Sequence, residues 1–511
     1  MENRRVKIET GELQGVFGYD PRITVFKGVP YAAPPVGELR WKSPSPAKKW
    51  EGVRVADTYG PISCQHVPGL NPEDFWTREL HPAGPEYPMS EDCLYVNIFT
   101  PAKTGKEKLP VLFYIHGGGY QGGYPFEVEF DWEHMARKGI VVVAVTYRLG
   151  IMGFLTSTML AEENPAALKG NYGIQDQLYA LQWTRRNIAA FGGNPDKITI
   201  AGQSAGAGSV QCLLATPYAK DTMAGAILQS GVFPEFGDLP APINPCTLEH
   251  ALRMGDTLFE KAGITNLQEA RNIPATELIR MEAEYMEPGI HFQPVVDGDF
   301  LPETTFEAMK RGHHHNVPIL AGYNRGEVRA FRFGAYPENM EELKAFAERY
   351  GDKAEEFLKV CNVKTEEDIP EIFEGDAYLD FVAGTVMLGH LQYELGRDAY
   401  LYEFDADIPG DEDHSSFHGS ELWFAYDSLA RSWRPFEGKH YDLARQISSY
   451  WVNFVKNGNP NGEDVFGYRL PEWKRFTADN SFLLRFKDAP QQHTVKEDEL
   501  MKFRIRFARE V

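Results

Sequence analysis

The sequence predicts a doubly wound α/β fold, in which a mostly parallel sheet carries helices on both faces. Two observations predict it. Short, mainly apolar, β-rich runs recur along the chain, and segments with helical periodicity separate them. The 511 residues suit one large α/β domain with insertions.

The strand candidates are Leu109–Ile115, Ile140–Thr146, Lys197–Ala201, Ala224–Gln229, Val317–Ala321 and Ala399–Phe404. Runs apolar on both faces suit central strands covered by helices. Between the second and third, Ile174, Leu178, Leu181 and Ile188 form one apolar stripe, which Gly192-Gly193-Asn194-Pro195 should stop. Stretches at about 60–90, 233–300 and 325–395 interrupt the alternation and read as caps around the opening. In such sheets ligands bind at the carboxyl ends of the strands. No repeat and no low-complexity linker divides the chain, so residues 1–511 read as one domain.

Composition narrows the partners. The net charge of −21 argues against nucleic acid and anionic membrane, both of which need a basic face. No run approaches the roughly 20 apolar residues of a membrane span. The start, Met1-Glu-Asn-Arg-Arg-Val-Lys, has no apolar signal core. The five cysteines, Cys64, Cys93, Cys212, Cys246 and Cys361, are odd in number and match no zinc spacing. A reducing, cytoplasmic address fits them; a trimmed mature chain would start the same way.

The chemistry begins at Gly202-Gln203-Ser204-Ala205-Gly206, between a strand and the helical-looking Gly208–Ala215. A strand running through Gly-x-Ser-x-Gly into a helix makes a sharp turn that lifts the serine hydroxyl clear of the sheet. Small flanking residues let strand and helix pack closely. Ser204 is the candidate nucleophile. Upstream, the strand Leu109–Ile115 ends in His116-Gly117-Gly118-Gly119-Tyr120. Glycines there let backbone N–H groups approach a developing oxyanion, and Gly118, Gly119 and Ala205 are the candidate donors. His116 reads as structural.

Serine needs a general base, and in this arrangement the order is serine, acid, histidine. His414 and His418, in His414-Ser-Ser-Phe-His418-Gly-Ser-Glu-Leu, both fit by position. Glu327 follows the strand Val317–Ala321 through Gly322-Tyr-Asn-Arg-Gly, where an orienting carboxylate belongs. Asp297 and Asp299 compete but read as turn formers. His313-His314-His315 reads as a solvated turn, because three consecutive residues cannot all face one ion.

Together these motifs resemble the type-B carboxylesterase/cholinesterase family, in its bacterial, para-nitrobenzyl-esterase-like branch. The likeness runs from about residue 5 to about 475, through seven ordered motifs: Phe26–Trp41, Ser90–Asn97, Gly117–Gly119, Thr146–Gly150, Gly192–Pro195, Ile200–Gly206 and Trp451–Pro460. The resemblance implies the α/β-hydrolase fold, hydrolysis of a small-molecule carboxylic ester and no cofactor or metal. It selects His418, whose His-Gly-Ser-Glu-Leu matches the family pattern, and Glu327, five residues past a strand-end glycine. It assigns Ser230 as a serine supporting that pair, and Gln203, beside the nucleophile, is a second supporting residue of the site. It also implies salt bridges Arg40–Glu91 and Arg148–Asp176, and matches Cys64 and Cys93 to the family's first disulfide. Two departures argue against choline esters. Gln203 stands where cholinesterases have glutamate, and Ala83 stands where they have the choline-binding tryptophan, with Trp76 out of register. Lipase, aryl and feruloyl ester specificities use the same machinery and stay open, because pocket walls decide between them. A non-catalytic binding role fits less well, since nucleophile, acid, base and glycine loop are all present. The aromatic segment Glu421–Tyr426 reads as core packing at a helix start, with the lining of an acyl or aryl pocket as the alternative.

Overall fold

A computed structural model describes residues 4–66, 75–80, 87–165, 168–233, 243–286, 291–327, 337–369, 376–410, 415–479, 481–495 and 497–510. His414 and Ala83 lie outside them.

The main sheet has eleven strands: β1 (Val16–Phe17), β2 (Thr24–Pro30), β3 (Tyr95–Thr100), β4 (Leu109–Ile115), β5 (Val141–Val145), β6 (Gly193–Gln203), β7 (Gly225–Gln229), β8 (Ile319–Asn324), β9 (Ala399–Phe404), β10 (Phe482–Phe486) and β11 (Pro490–Thr494). Their order across the sheet is β11-β10-β9-β8-β7-β6-β4-β5-β3-β2-β1. From β5 to β10 every neighbouring pair is parallel, and both margins are antiparallel. This is the α/β-hydrolase arrangement. The strand order reverses beside β4, which puts the crevice at the carboxyl ends of β4 and β6.

The apolar runs are explained by the period-two side-chain alternation of a strand. In β4, Val111, Phe113 and Ile115 enter one core while Leu112 and Tyr114 enter the other. In β5, Val141, Val143 and Val145 divide from Val142 and Ala144 in the same way. The first core is covered by α1 (Tyr172–Asn187), α2 (Ala205–Ala215) and α4 (Asp376–Glu394), with α3 (Ala275–Tyr285) beside it. The second is covered by α5 (Gly438–Asn457) and by the segment after Glu421, where Trp423, Phe424 and Tyr426 are buried. That segment is core packing, as its sequence suggests.

Two boundaries differ from the sequence reading. The stripe Ile174, Leu178, Leu181 and Ile188 is buried and ends at Gly192, whose φ of 86° caps the last turn. Gly193 does not extend that stop. It already pairs with Leu109, and a bulge separates it from Ile198, so β6 starts earlier than Lys197. Likewise β8 continues through Gly322 to Asn324, because Gly322, Tyr323 and Asn324 pair with Tyr402, Glu403 and Phe404 of β9. The glycine is inside the strand, and Glu327 sits three residues beyond its end. The two expected scaffold pairs are present: Arg40 Nε donates to Glu91 Oε2 at 2.8 Å, and Arg148 Nε to Asp176 Oδ2 at 2.7 Å. Cys64 and Cys93 are buried thiols lining one small cavity. No described helix is long and apolar enough to cross a membrane.

Candidate active site

Four loops meet above the sheet because four parallel strands end there. The elbow follows β6, the glycine loop follows β4, the acid follows β8, and the histidine lies beyond β9.

Ser204 has φ 56° and ψ −126°, a conformation that side chains rarely adopt. The turn is held from both sides. Ser204 N–H donates to the Gln229 carbonyl at 2.8 Å, and the Ser204 carbonyl accepts from Gly208 N–H at 3.0 Å. The flanking glycines are steric requirements. A Cβ on Gly206 would lie 2.2 Å from the Ile115 carbonyl oxygen, and one on Gly202 would lie 2.3 Å from the Gly206 backbone.

The glycine loop lies against this elbow. A Cβ on Gly117 would stand 3.2 Å from Ser204 Cβ and 2.6 Å from the Gln203 carbonyl oxygen. Gly118 has φ 102° and Gly119 φ 62°, and the Gly118 carbonyl accepts from Gln121 and Gly122 N–H, which curls the loop. Among the described residues, the N–H groups of Gly118, Gly119 and Ala205 donate to no protein acceptor. His116 is the loop's anchor. Its ring stacks on Tyr147, its Nδ1 is 2.9 Å from the Gly117 carbonyl, and burial pulls its pKa down to about 4. It is a neutral structural residue.

The sequence-predicted acid and base are in contact. His418 Nδ1 is 2.5 Å from Glu327 Oε2, and both side chains are buried. A carboxylate accepts, so the ring proton sits on Nδ1 and Nε2 presents its lone pair. Glu327 Oε1 accepts from Asn324 N–H at 2.7 Å, which fixes the carboxylate by the backbone of its own strand end. The two loops are also joined directly: Gly326 N–H donates to the Ser416 carbonyl at 3.0 Å, and Gly326 and Phe417 form a parallel bridge. His418 Nε2 faces the elbow, where Gln203 Nε2 lies 3.1 Å away.

Three features had no clear sequence signal. Glu421 is a second buried carboxyl beside the pair. Asn324 Nδ2 donates to it at 2.5 Å, and burial, followed by the nearby Glu327 charge, pushes its pKa up to about 7. Its position inside the His-Gly-Ser-Glu motif was the only hint. Glu79, on the helix Phe75–Leu80, accepts from Arg434 Nε and Trp433 Nε1, both at 3.0 Å, and the ion pair is wholly buried. Phe75 and Trp76 of that helix meet Phe417 edge-on, and the Arg434 guanidinium covers the Phe417 ring. Finally, the Phe381 ring lies 5.9 Å from the His418 ring, and Phe233 packs on Phe381 at 4.5 Å.

Ser230 has φ 48°, and its N–H donates to the Gly322 carbonyl. Its hydroxyl is buried and makes no hydrogen bond among the described residues, to Glu327 or His418 included. Asp297 accepts from the N–H groups of Leu301 and Asp299, as a turn former does. The three consecutive histidines separate: His313 meets Glu303, His314 is buried against Gln392, and His315 meets the Thr216 carbonyl.

A profile of the carboxylesterase family matches residues 2–504 of this chain. The chain belongs to the carboxylesterase family. It is 32% identical over 469 residues to the fumonisin B1 esterase of Sphingopyxis macrogoltabida, covering 89% of this chain and 82% of that one. It is 31% identical to the para-nitrobenzyl esterase of Bacillus subtilis (strain 168), covering 91% and 92%. Among solved structures, a PNB esterase superposes with a TM-score of 0.81 at 28% identity, over 98% of this chain and 99% of that chain. A carboxylesterase of Geobacillus stearothermophilus gives a TM-score of 0.79 at 32% identity, over 99% of both chains. This esterase therefore hydrolyses carboxylic esters on an α/β-hydrolase scaffold.

Proposed function

We propose that the esterase works through an acyl-enzyme on Ser204, with His418 as general base and Glu327 as its orienting acid. One observation carries this reading. The buried imidazole is bound by Glu327 at Nδ1 while its Nε2 reaches the elbow, at the residue next to Ser204. The ester binds with its carbonyl oxygen at the N–H groups of Gly118, Gly119 and Ala205. As Ser204 Oγ bonds to the carbonyl carbon, its proton passes to His418 Nε2, and the carbonyl electron pair moves onto the oxygen. The alkoxide leaves with that proton. Water then repeats the sequence and frees the acid. Each backbone donor is worth about 3–4 kcal/mol to the oxyanion. The steps of this reading use only these side chains and backbone N–H groups and invoke no metal or organic cofactor.

Phe381 and Phe233 beside the histidine support an apolar wall for the acyl or alcohol group, and so neutral esters of small to medium size. The relatives named for fumonisin B1 and para-nitrobenzyl esters support including arylmethyl esters in that range. We read the capping stretches as the remaining walls, in one domain, and the five thiols as those of a cytoplasmic protein. Hydrolysis of p-nitrophenyl butyrate by the wild type and by Ser204→Ala tests the mechanism. Turnover lost in the variant is the expected result. Turnover that survives it means another nucleophile.

A further inference from the structure

We infer that Gln203 is a positioning residue for the general base: its amide holds His418 Nε2 in the resting enzyme and yields that lone pair to Ser204 when the ester binds. This rests on the Ser204–His418–Glu327 reading.

Gln203 is the last residue of β6 and is buried, and its side chain runs between two loops. At one end, its Oε1 lies 3.1 Å from where a Cβ of Gly117 would be, against the glycine loop. At the other, its Nε2 lies 3.1 Å from His418 Nε2 and 3.6 Å from where a Cβ of Gly419 would be. With the ring proton on Nδ1 toward Glu327, His418 Nε2 can only accept. The amide N–H is therefore the donor, and it occupies the lone pair that must take the Ser204 proton. A backbone strained at φ 56° sets Ser204 immediately after this amide, so both groups compete for one atom from adjacent positions.

The amide does two things that other residues of its size do not. It donates to the neutral ring, which a carboxylate cannot, and so keeps the imidazole in the tautomer a general base needs. It also adds no charge. His418 already faces Glu327 at Nδ1 and the buried Glu421 from its own loop. From α4 the Phe381 ring lies against it, and the Arg434 guanidinium is held over the Phe417 ring by its pair with Glu79. A second charged carboxylate at the elbow would hold the imidazolium more tightly and move the onset of activity upward in pH.

The test is the pH profile of kcat/KM for p-nitrophenyl butyrate in the wild type, Gln203→Glu and Gln203→Met. In Gln203→Glu, the same shape with a charge, the acid limb should move up by about one pH unit or more. In Gln203→Met, which removes the donor and keeps the length, kcat should fall on the order of tenfold with KM nearly unchanged, because the base loses its orientation. A Gln203→Glu limb that overlays the wild type, in protein with an unchanged urea midpoint, overturns the proposal. So does a Gln203→Met enzyme with wild-type kcat. Stoichiometric labelling by diethyl p-nitrophenyl phosphate, absent in Ser204→Ala, separates the two levels. Labelling with an unmoved limb removes the role of Gln203 alone, and no labelling removes the triad and the role together.

Discussion

Glu327→Gln should nearly abolish turnover without unfolding the protein, and the reason is in the two bonds of this carboxylate. Oε1 accepts from Asn324 N–H at 2.7 Å, and Oε2 faces His418 Nδ1 at 2.5 Å. An amide of the same shape must choose an orientation. Its carbonyl has to stay on Asn324 N–H, because an NH2 group there would set two donors against each other in a buried site. The NH2 then faces Nδ1, which must accept. The ring proton moves to Nε2, the atom that should take the Ser204 proton, and the base becomes a donor. Tautomer reversal of this kind costs a comparable serine enzyme about 10⁴ in kcat, or ~5 kcal/mol of barrier. The oxyanion donors and the binding site remain, so a rate about 10³ above the uncatalysed one should persist. The assay is single-turnover release of p-nitrophenol from p-nitrophenyl butyrate, with the urea midpoint as the folding control. A folded Glu327→Gln enzyme within tenfold of the wild type would refute the tautomer argument.

Three further outcomes follow from the same geometry. Glu282 of α3 is buried, and burial raises its pKa to about 7. The unfolded chain ionises first, so this group lowers stability as pH rises from about 4.5 to about 7, by ~3 kcal/mol in all; Glu282→Gln should be more stable than the wild type at pH 8 and equal to it at pH 4, read from urea midpoints. Arg434→Met leaves Glu79 buried without its partner and should cost about 3–5 kcal/mol, while Glu79→Leu with Arg434→Met should recover much of it; an additive pair would count against the buried ion pair. Phe381→Ala opens the wall beside His418, and the kcat/KM ratio for p-nitrophenyl decanoate over acetate should rise about tenfold; an unchanged ratio places the acyl group elsewhere.

The parts legible in the sequence are those that local geometry dictates. The central strands show because Val111–Ile115 of β4 and all of β5 are buried on one face or the other, which leaves no polar position to interrupt the run. The elbow and the glycine loop show because only glycine fits at 202 and 206 and at the strongly left-handed Gly118. Glu327 is different. Its place past a strand end makes it a candidate, but among 73 acidic residues that place alone does not single it out, and the resemblance selects it. What distinguishes it physically is the Asn324 N–H, freed where β8 stops pairing, and that stop lies three residues later than the sequence suggested. The contacts of Gln203 with His418 and of Glu79 with Arg434 span 215 and 355 residues. Periodicity and propensity carry no information at that range.

The short parallel bridge between Gly326 and Phe417 has a consequence for how this enzyme loses function. It sets the acid and the base in one hydrogen-bonded unit, 91 residues apart in the chain but adjacent in space. Local opening of either loop then withdraws both groups at once, and closing restores both in register. Partly inactivated protein should therefore be a mixture of competent and incompetent molecules, with slow exchange of the Gly326 amide reporting the fraction that is competent.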